Sequence, residues 1–206
     1  MRVESVRHGA SGTAIVAAGG SVFIFRPLQA EALGLAPASL VPEVELDESS
    51  TLLLALAAEA YEAEKKALAL LARAEQSAYM LRLKLEARGF GEKAIRLALD
   101  KLGSEGLLSD SRFAEAYAAS RLARRADGPA SLVAALRERG VSGDAAKAAV
   151  AAVLGPEERA WALARAAEKE MKRAGADRGA ARRRLRALGF EFGEISEYFE
   201  TLSGRC

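Results

Sequence analysis

The sequence predicts a mainly α-helical protein made of three tandem three-helix repeats, about nine helices in an elongated array, with a small β-hairpin-containing extension at its N-terminus. Three observations carry this. First, Leu81-x-x-x-Leu85-x-x-x-Gly89-Phe90 returns as Leu132-x-x-x-Leu136-x-x-x-Gly140-Val141 and as Ala181-x-x-x-Leu185-x-x-x-Gly189-Phe190, the glycines 51 and 49 residues apart. Second, an arginine precedes each glycine by sixteen residues: Arg73, Arg124 and Arg173. Third, apolar residues flank each glycine at helical spacing. Ile95, Leu99 and Leu102 correspond to Ala146, Val150 and Val153, and to Ile195, Phe199 and Leu202. Upstream, Ala63, Ala67 and Leu71 correspond to Ala114, Ala118 and Leu122, and to Leu163, Ala167 and Met171. Such spacing marks one buried face per helix. Units of about fifty residues that cannot bury this face alone stack on their neighbours.

The extension occupies residues 1–50. Thr13–Ala17 and Ser21–Phe25 are β-prone runs joined across Gly19-Gly20, a two-residue hairpin signal. Val3–Val6 is a candidate third strand. Pro27 starts a short helix with Gly34 near its end, and Pro37 and Pro42 prevent its continuation. Two or three strands alone are marginal, so this region is expected to pack on the helices.

The repeats are bounded at 51–105, 106–154 and 155–206. Asp47–Ser50 offers cap candidates for a first helix running to Arg73. Ser77 caps the second helix, which stops at Gly89, and the third ends near Gly103. The middle repeat starts at Ser109-Asp110, turns at Asp127-Gly128-Pro129 and stops again at Gly140. The last starts at Gly155-Pro156-Glu157, with proline at the favoured first helical position, and stops at Gly175 and Gly189. The three glycines in repeat register, Gly89, Gly140 and Gly189, fall where a left-handed helix C-cap is expected.

Composition excludes several classes of function. Half of the 206 residues are hydrophobic, enough for a real core. No eighteen-residue apolar run and no signal-peptide opening is present, so a soluble cytoplasmic protein without a membrane partner is expected. Cys206 is the only cysteine and His8, read as a surface residue, the only histidine, which leaves no disulfide framework and little room for zinc or histidine-base chemistry. The acids show no paired arrangement, and there is no phosphate-binding glycine loop. No enzyme and no cofactor are expected.

The formal charge of +2 conceals an asymmetry. Residues 1–60 hold three arginines against seven acids, so the helical region is basic. Met171 to Leu188 contains seven cations, Lys172, Arg173, Arg178, Arg182, Arg183, Arg184 and Arg186, and one acid, Asp177. With Ala181, Leu185 and Leu188 facing inward, Arg178, Arg182 and Arg186 align at i, i+4 and i+8. Like charges at that spacing disfavour a helix by about 0.2–0.5 kcal/mol per pair. An anionic partner explains the pattern, either nucleic-acid phosphates or an acidic protein groove. A solvated face, relieved by Glu191, Glu194 and Glu197, is the bland alternative. Arg121, Arg124 and Arg125 form a second cluster, for which complementing a helix C-terminus is an equal explanation. Arg73, Arg124 and Arg173 stand for either a repeated helix-end interaction or one lined side of the array. Tyr61, Trp161, Phe90, Phe113, Phe190 and Phe199 fall in apolar phase and are expected in the core, so no base-stacking platform is foreseen.

Lys66–Arg73, Ser77 and Leu81–Phe90, continued by Ile95, Leu102, Gly106-Leu-Leu-Ser-Asp-Ser-Arg-Phe113-Ala114, Arg121, Gly128, Leu132, Leu136 and Arg139–Val141, resemble the RecX regulatory proteins over about 59–202. The run from Gly106 to Ala114, followed by a basic stretch and a glycine, is the most specific part. Met80 stands where a glutamate is common in that family, and Leu107 where tyrosine is usual. The resemblance implies three tandem three-helix repeats and a non-enzymatic partner of the RecA recombinase. Members lodge in the groove of the RecA–DNA filament, block its growth and damp ATP hydrolysis and strand exchange; some bind DNA. The expectation is a monomer acting on the filament through its basic positions, foremost the 178–186 helix. An independent module binding single- or double-stranded DNA is the chief alternative, and a pure scaffold the third.

Overall fold

The computed structural model describes residues 1–9, 12–125, 127–175 and 177–203, so Cys206 lies outside the described residues. The chain divides into two compact units, Met1–Leu108 and Ser109–Cys206. Ten α-helices and one three-stranded sheet are present among the described residues.

In the first unit, β1 (Val3–Gly9), β2 (Thr13–Ala18) and β3 (Ser21–Phe25) form an antiparallel sheet with β2 in the centre. The β2–β3 hairpin turns on Gly19 and Gly20, both at positive φ (55° and 74°). That conformation matches strand twist and is costly for residues with a Cβ. The outer edge of β1 is covered at its start: the Val3 N–H donates to Val44 O, and the Glu43 N–H to Val3 O. Helix α1 (Pro27–Ala32) begins at Pro27, Gly34 follows it at φ 85°, and Pro37–Ser39 makes a 3₁₀ turn.

Helix α2 (Glu48–Leu71) joins this sheet to the helical part of the unit. Asp47 caps it, accepting from the Ser50 N–H at 2.7 Å. Its first half buries Leu54 and Ala57 beside Val3, Val16 and Phe25. Its second half buries Ala67 beside Leu81 and Leu85 of α3 (Ala78–Glu86) and Ile95 and Leu102 of α4 (Glu92–Ser104). The expected packing of the extension on the helices is therefore present. Between the two cores the Arg26 guanidinium holds Glu64 through Nε at 2.9 Å and Nη2 at 2.7 Å, and Gln29 Nε2 donates to the other carboxylate oxygen at 3.2 Å.

The second unit contains α5 (Asp110–Arg124), α6 (Pro129–Arg137), α7 (Gly143–Val153), α8 (Pro156–Arg173), α9 (Arg178–Ala187) and α10 (Phe192–Ser203). Pro129 and Pro156 open α6 and α8 at the first helical position. The three registered glycines adopt one conformation: φ is 85° at Gly89, 82° at Gly140 and 92° at Gly189. Each is followed by a 6→1 closure, from Phe90 to Leu85, Val141 to Leu136 and Phe190 to Leu185. This is the Schellman C-cap, repeated three times. The aligned residues Leu81, Leu85, Leu132, Leu136, Ala181 and Leu185 are all fully buried.

Helix α4 ends at Ser104, beside Gly103 as expected, and its left-handed closure falls at Gly106, with φ 69°. Two expectations are corrected. Trp161 is 44% exposed rather than in the core, because α8 turns Ala162 and Leu163 inward instead. Leu202, aligned with Leu102, is exposed where it borders a groove between α8 and α10.

Candidate polyanion-binding cleft

The first wall of the site is the end of α5. Arg121 and Arg124 lie in its last turn, where cations complement the exposed carbonyls. Arg121 turns back: its guanidinium meets the Asp127 carboxylate at 2.6 Å and sits 5.9 Å from the Tyr117 ring centroid. It thereby braces the α5–α6 turn. Arg124 and Arg125 are exposed and have no ion-pair partner among the described residues.

The facing wall is α8. Arg165, Lys169 and Lys172 recur at i, i+4 and i+7 on one helical face, with Arg173 beside them. Together with Arg124 and Arg125 they line a cleft of about 540 Å³ in which Glu168 is the only acid. Lys172 Nζ donates to Glu168 at 2.7 Å, and this bond, with Arg165 adding to it, holds the Glu168 carboxyl below the usual glutamate range. Six cations against one engaged acid make the cleft strongly positive. That excess attracts phosphate or carboxylate.

A neighbouring hollow continues the basic surface onto α9. Arg173 borders both, and donates to the buried Glu170 at 3.2 Å; the Arg184 guanidinium lies 3.6 Å from the same carboxylate. Asp177 caps α9 by accepting from the Gly179 N–H at 2.8 Å, which sets where the arginine helix begins.

The α9 arginines do not act as one row. Arg178 donates to Ser203 Oγ at 2.9 Å, tying the start of α9 to the end of α10. Arg182 lies 5.1 Å from the Phe199 ring centroid, with its Nε enclosed and unpartnered. Arg183 and Arg186 are exposed and unpaired among the described residues. Arg73 is exposed in the turn after α2 and does not line the cleft. The acids thought to relieve α9 serve elsewhere: Glu191 and Glu194 both hold Arg159, and Glu194 chiefly raises that guanidinium's pKa.

Arg165 and Lys169 were missed in the sequence, although their spacing with Lys172 was there to read. The dense arginine run of α9 is a local pattern, whereas the cleft needs α5 and α8 brought together by folding. Among the described residues no group of three or more His, Cys, Asp or Glu side chains is placed to hold a metal ion. Among the described residues no helix is long and apolar enough to cross a membrane.

Fold and cleft together are those of a mainly helical protein with a basic surface. Residues 109–150 match the family model described as RecX, second three-helix domain. The regulatory protein RecX of Treponema pallidum (strain Nichols) is 42% identical over 82 residues, which cover 40% of this chain and 50% of that protein. The Chromohalobacter salexigens protein of the same name is 43% identical over 84 residues, 41% of this chain and 55% of its own. The chain thus spans about half the length of the curated relatives it matches. A crystal structure of regulatory protein RecX superposes with a TM-score of 0.72 at 19% identity, covering 95% of this chain and 97% of that one. RecX from Lactobacillus salivarius gives 0.61 at 20% identity, over 70% and 97%. The chain is thus similar to RecX proteins over about two fifths of its length, and residues 109–150 match their second three-helix domain.

Proposed function

We propose that this protein is a negative modulator of RecA that binds the RecA–DNA filament through its basic helical surface and inhibits filament growth, ATPase and strand exchange. The cleft between α5 and α8 is the observation that carries the reading, since six cations converge there. Likeness to proteins named regulatory protein RecX supports a regulatory role. Repeats at 51–105, 106–154 and 155–206 present the surface, after an extension at 1–50, in a cytoplasmic monomer. Arg124, Arg125, Lys172, Arg173, Arg183 and Arg186 rank first among the contacts, then Arg184. Arg73 follows, with Arg121, Arg178 and Arg182, which have intramolecular partners.

The test is RecA ATPase on single-stranded DNA, with the protein added before or after filament assembly. Inhibition at substoichiometric amounts, stronger when added first, supports blocked growth. Substituting Arg124 and Arg125 together by alanine should weaken inhibition with helicity unchanged. No effect on RecA, with DNA binding by the protein alone whose log K falls about 0.9 per neutralised phosphate against log salt, would replace this reading by the independent DNA-binding module.

A further inference from the structure

The basic cleft is one end of a longer groove. One turn before Arg165 on α8, the exposed Trp161 ring borders a hollow of about 470 Å³ walled by Ala119, Leu122 and Ala123 of α5 and by Val153. The Arg165 guanidinium sits 4.7 Å from the Trp161 ring centroid and also lines the cleft, so one side chain joins the two. Helices α5 and α8 face each other along both parts, with Val153 of α7 added at the hollow. From Trp161 to Lys172 is eleven residues, a rise of about 16 Å. An extended peptide covers that distance in about five residues.

We infer that the groove takes an extended acidic segment of a partner protein, with one apolar side chain seated at Trp161 and carboxylates running over Arg165, Lys169 and Lys172. This rests on the reading of the cleft as a partner-binding surface, and names the chemistry of what enters it. Charge complementarity sets the acidic part. The hollow sets the anchor, because Ala119, Leu122, Ala123 and Val153 give it an aliphatic face and the exposed tryptophan beside them offers apolar contact. Peptide fits better than nucleic acid on two counts. Glu157 and Glu158 border the hollow and would repel a phosphate backbone entering there. Arg165 already lies over the indole, occupying a face on which a base would stack. An apolar side chain in the hollow meets neither obstacle.

Trp161 is the only tryptophan, so its emission reports on this groove alone. The probes are a synthetic peptide of about ten residues with one leucine followed by glutamates, the same peptide with alanine for leucine, and an oligothymidylate. The leucine peptide should shift Trp161 emission and, by calorimetry, bind about tenfold more tightly than the alanine peptide. Trp161→Ala should erase that difference while leaving the weaker binding of the alanine peptide intact, a double-mutant cycle. Equal binding of both peptides by the wild-type chain overturns the anchor and with it the inference. Binding of oligothymidylate with Trp161 quenching, when neither peptide binds, overturns it in favour of a stacking site for single strands. If the peptide comparison fails while Arg124→Ala/Arg125→Ala still weakens RecA inhibition, the proposed function stands and only this inference falls.

Discussion

Gly189 at the end of α9 lies against Ala130 at the start of α6: a Cβ at Gly189 would stand 2.4 Å from both the backbone nitrogen and the Cβ of Ala130. Nearby, a Cβ at Gly128 would meet the Leu188 carbonyl oxygen at 2.1 Å. The registered glycine of the last repeat therefore has two duties. It closes its own helix in a left-handed conformation, and it lets α9 approach α6 closely. Gly89 has only the first duty, with nothing within 4 Å of its Cβ position.

The two glycines should respond differently to the same change. Gly89→Ala incurs the left-handed penalty alone, about 1 kcal/mol. Gly189→Ala adds overlap with the α6 backbone and should cost about 3 kcal/mol. Chemical denaturation of both variants checks this, and equal losses would refute the close approach.

Glu64 is 1% exposed and depends on Arg26. Glu64→Ala leaves the guanidinium without its carboxylate where the sheet meets α2, and should cost about 3 kcal/mol. Replacing Arg26 and Glu64 together by methionine and leucine should cost much less, since no buried charge is then abandoned. Urea midpoints of the single and double variants decide it.

The arginines of α9 should separate by role. Arg182→Ala removes a cation packed on Phe199 and should lower stability by about 1 kcal/mol. Arg183→Ala/Arg186→Ala should leave the unfolding curve where it is but weaken RecA inhibition. Loss of stability from the exposed pair, or none from Arg182→Ala, would reverse these roles.

Asp47 supplies a pH test. Its carboxyl is held below the usual aspartate range because it accepts the backbone N–H, and then the hydroxyl, of Ser50. A group depressed in the folded state stabilises above its unfolded value, about 4, and loses that contribution as pH falls through the folded value. The melting temperature of the wild type should therefore exceed that of Asp47→Ala at pH 7, and the gap should narrow steadily below about pH 4. A gap constant down to pH 2 would show that the cap acts without its charge.

The same tether between first and third helices is built twice with opposite chemistry. In the first unit the Gly91 N–H donates to Glu59 at 2.6 Å. One hundred residues on, Arg159 holds Glu191 and Glu194. Such equivalence is invisible to a comparison of residue types, because the partners are a backbone amide in one case and a side chain in the other.

The sequence by itself determined the helical class, the repeat, the hairpin and nearly every helix end. Those features are local: a glycine that must take positive φ, a serine or aspartate that caps, and an apolar spacing of 3.6 all act within a few residues of themselves. Only the tertiary structure decided which cations face a common space. Arg121 and Arg182 looked like members of basic rows, yet folding gives them Asp127 and Phe199 as neighbours. Arg165 and Lys169 looked unremarkable, yet α5 delivers Arg124 and Arg125 opposite them. Trp161 matched the apolar phase, but the neighbouring Ala162 and Leu163 are what α8 turns to the core. Charge convergence and exposure depend on residues some forty positions apart meeting across helix faces, and no local pattern encodes that meeting.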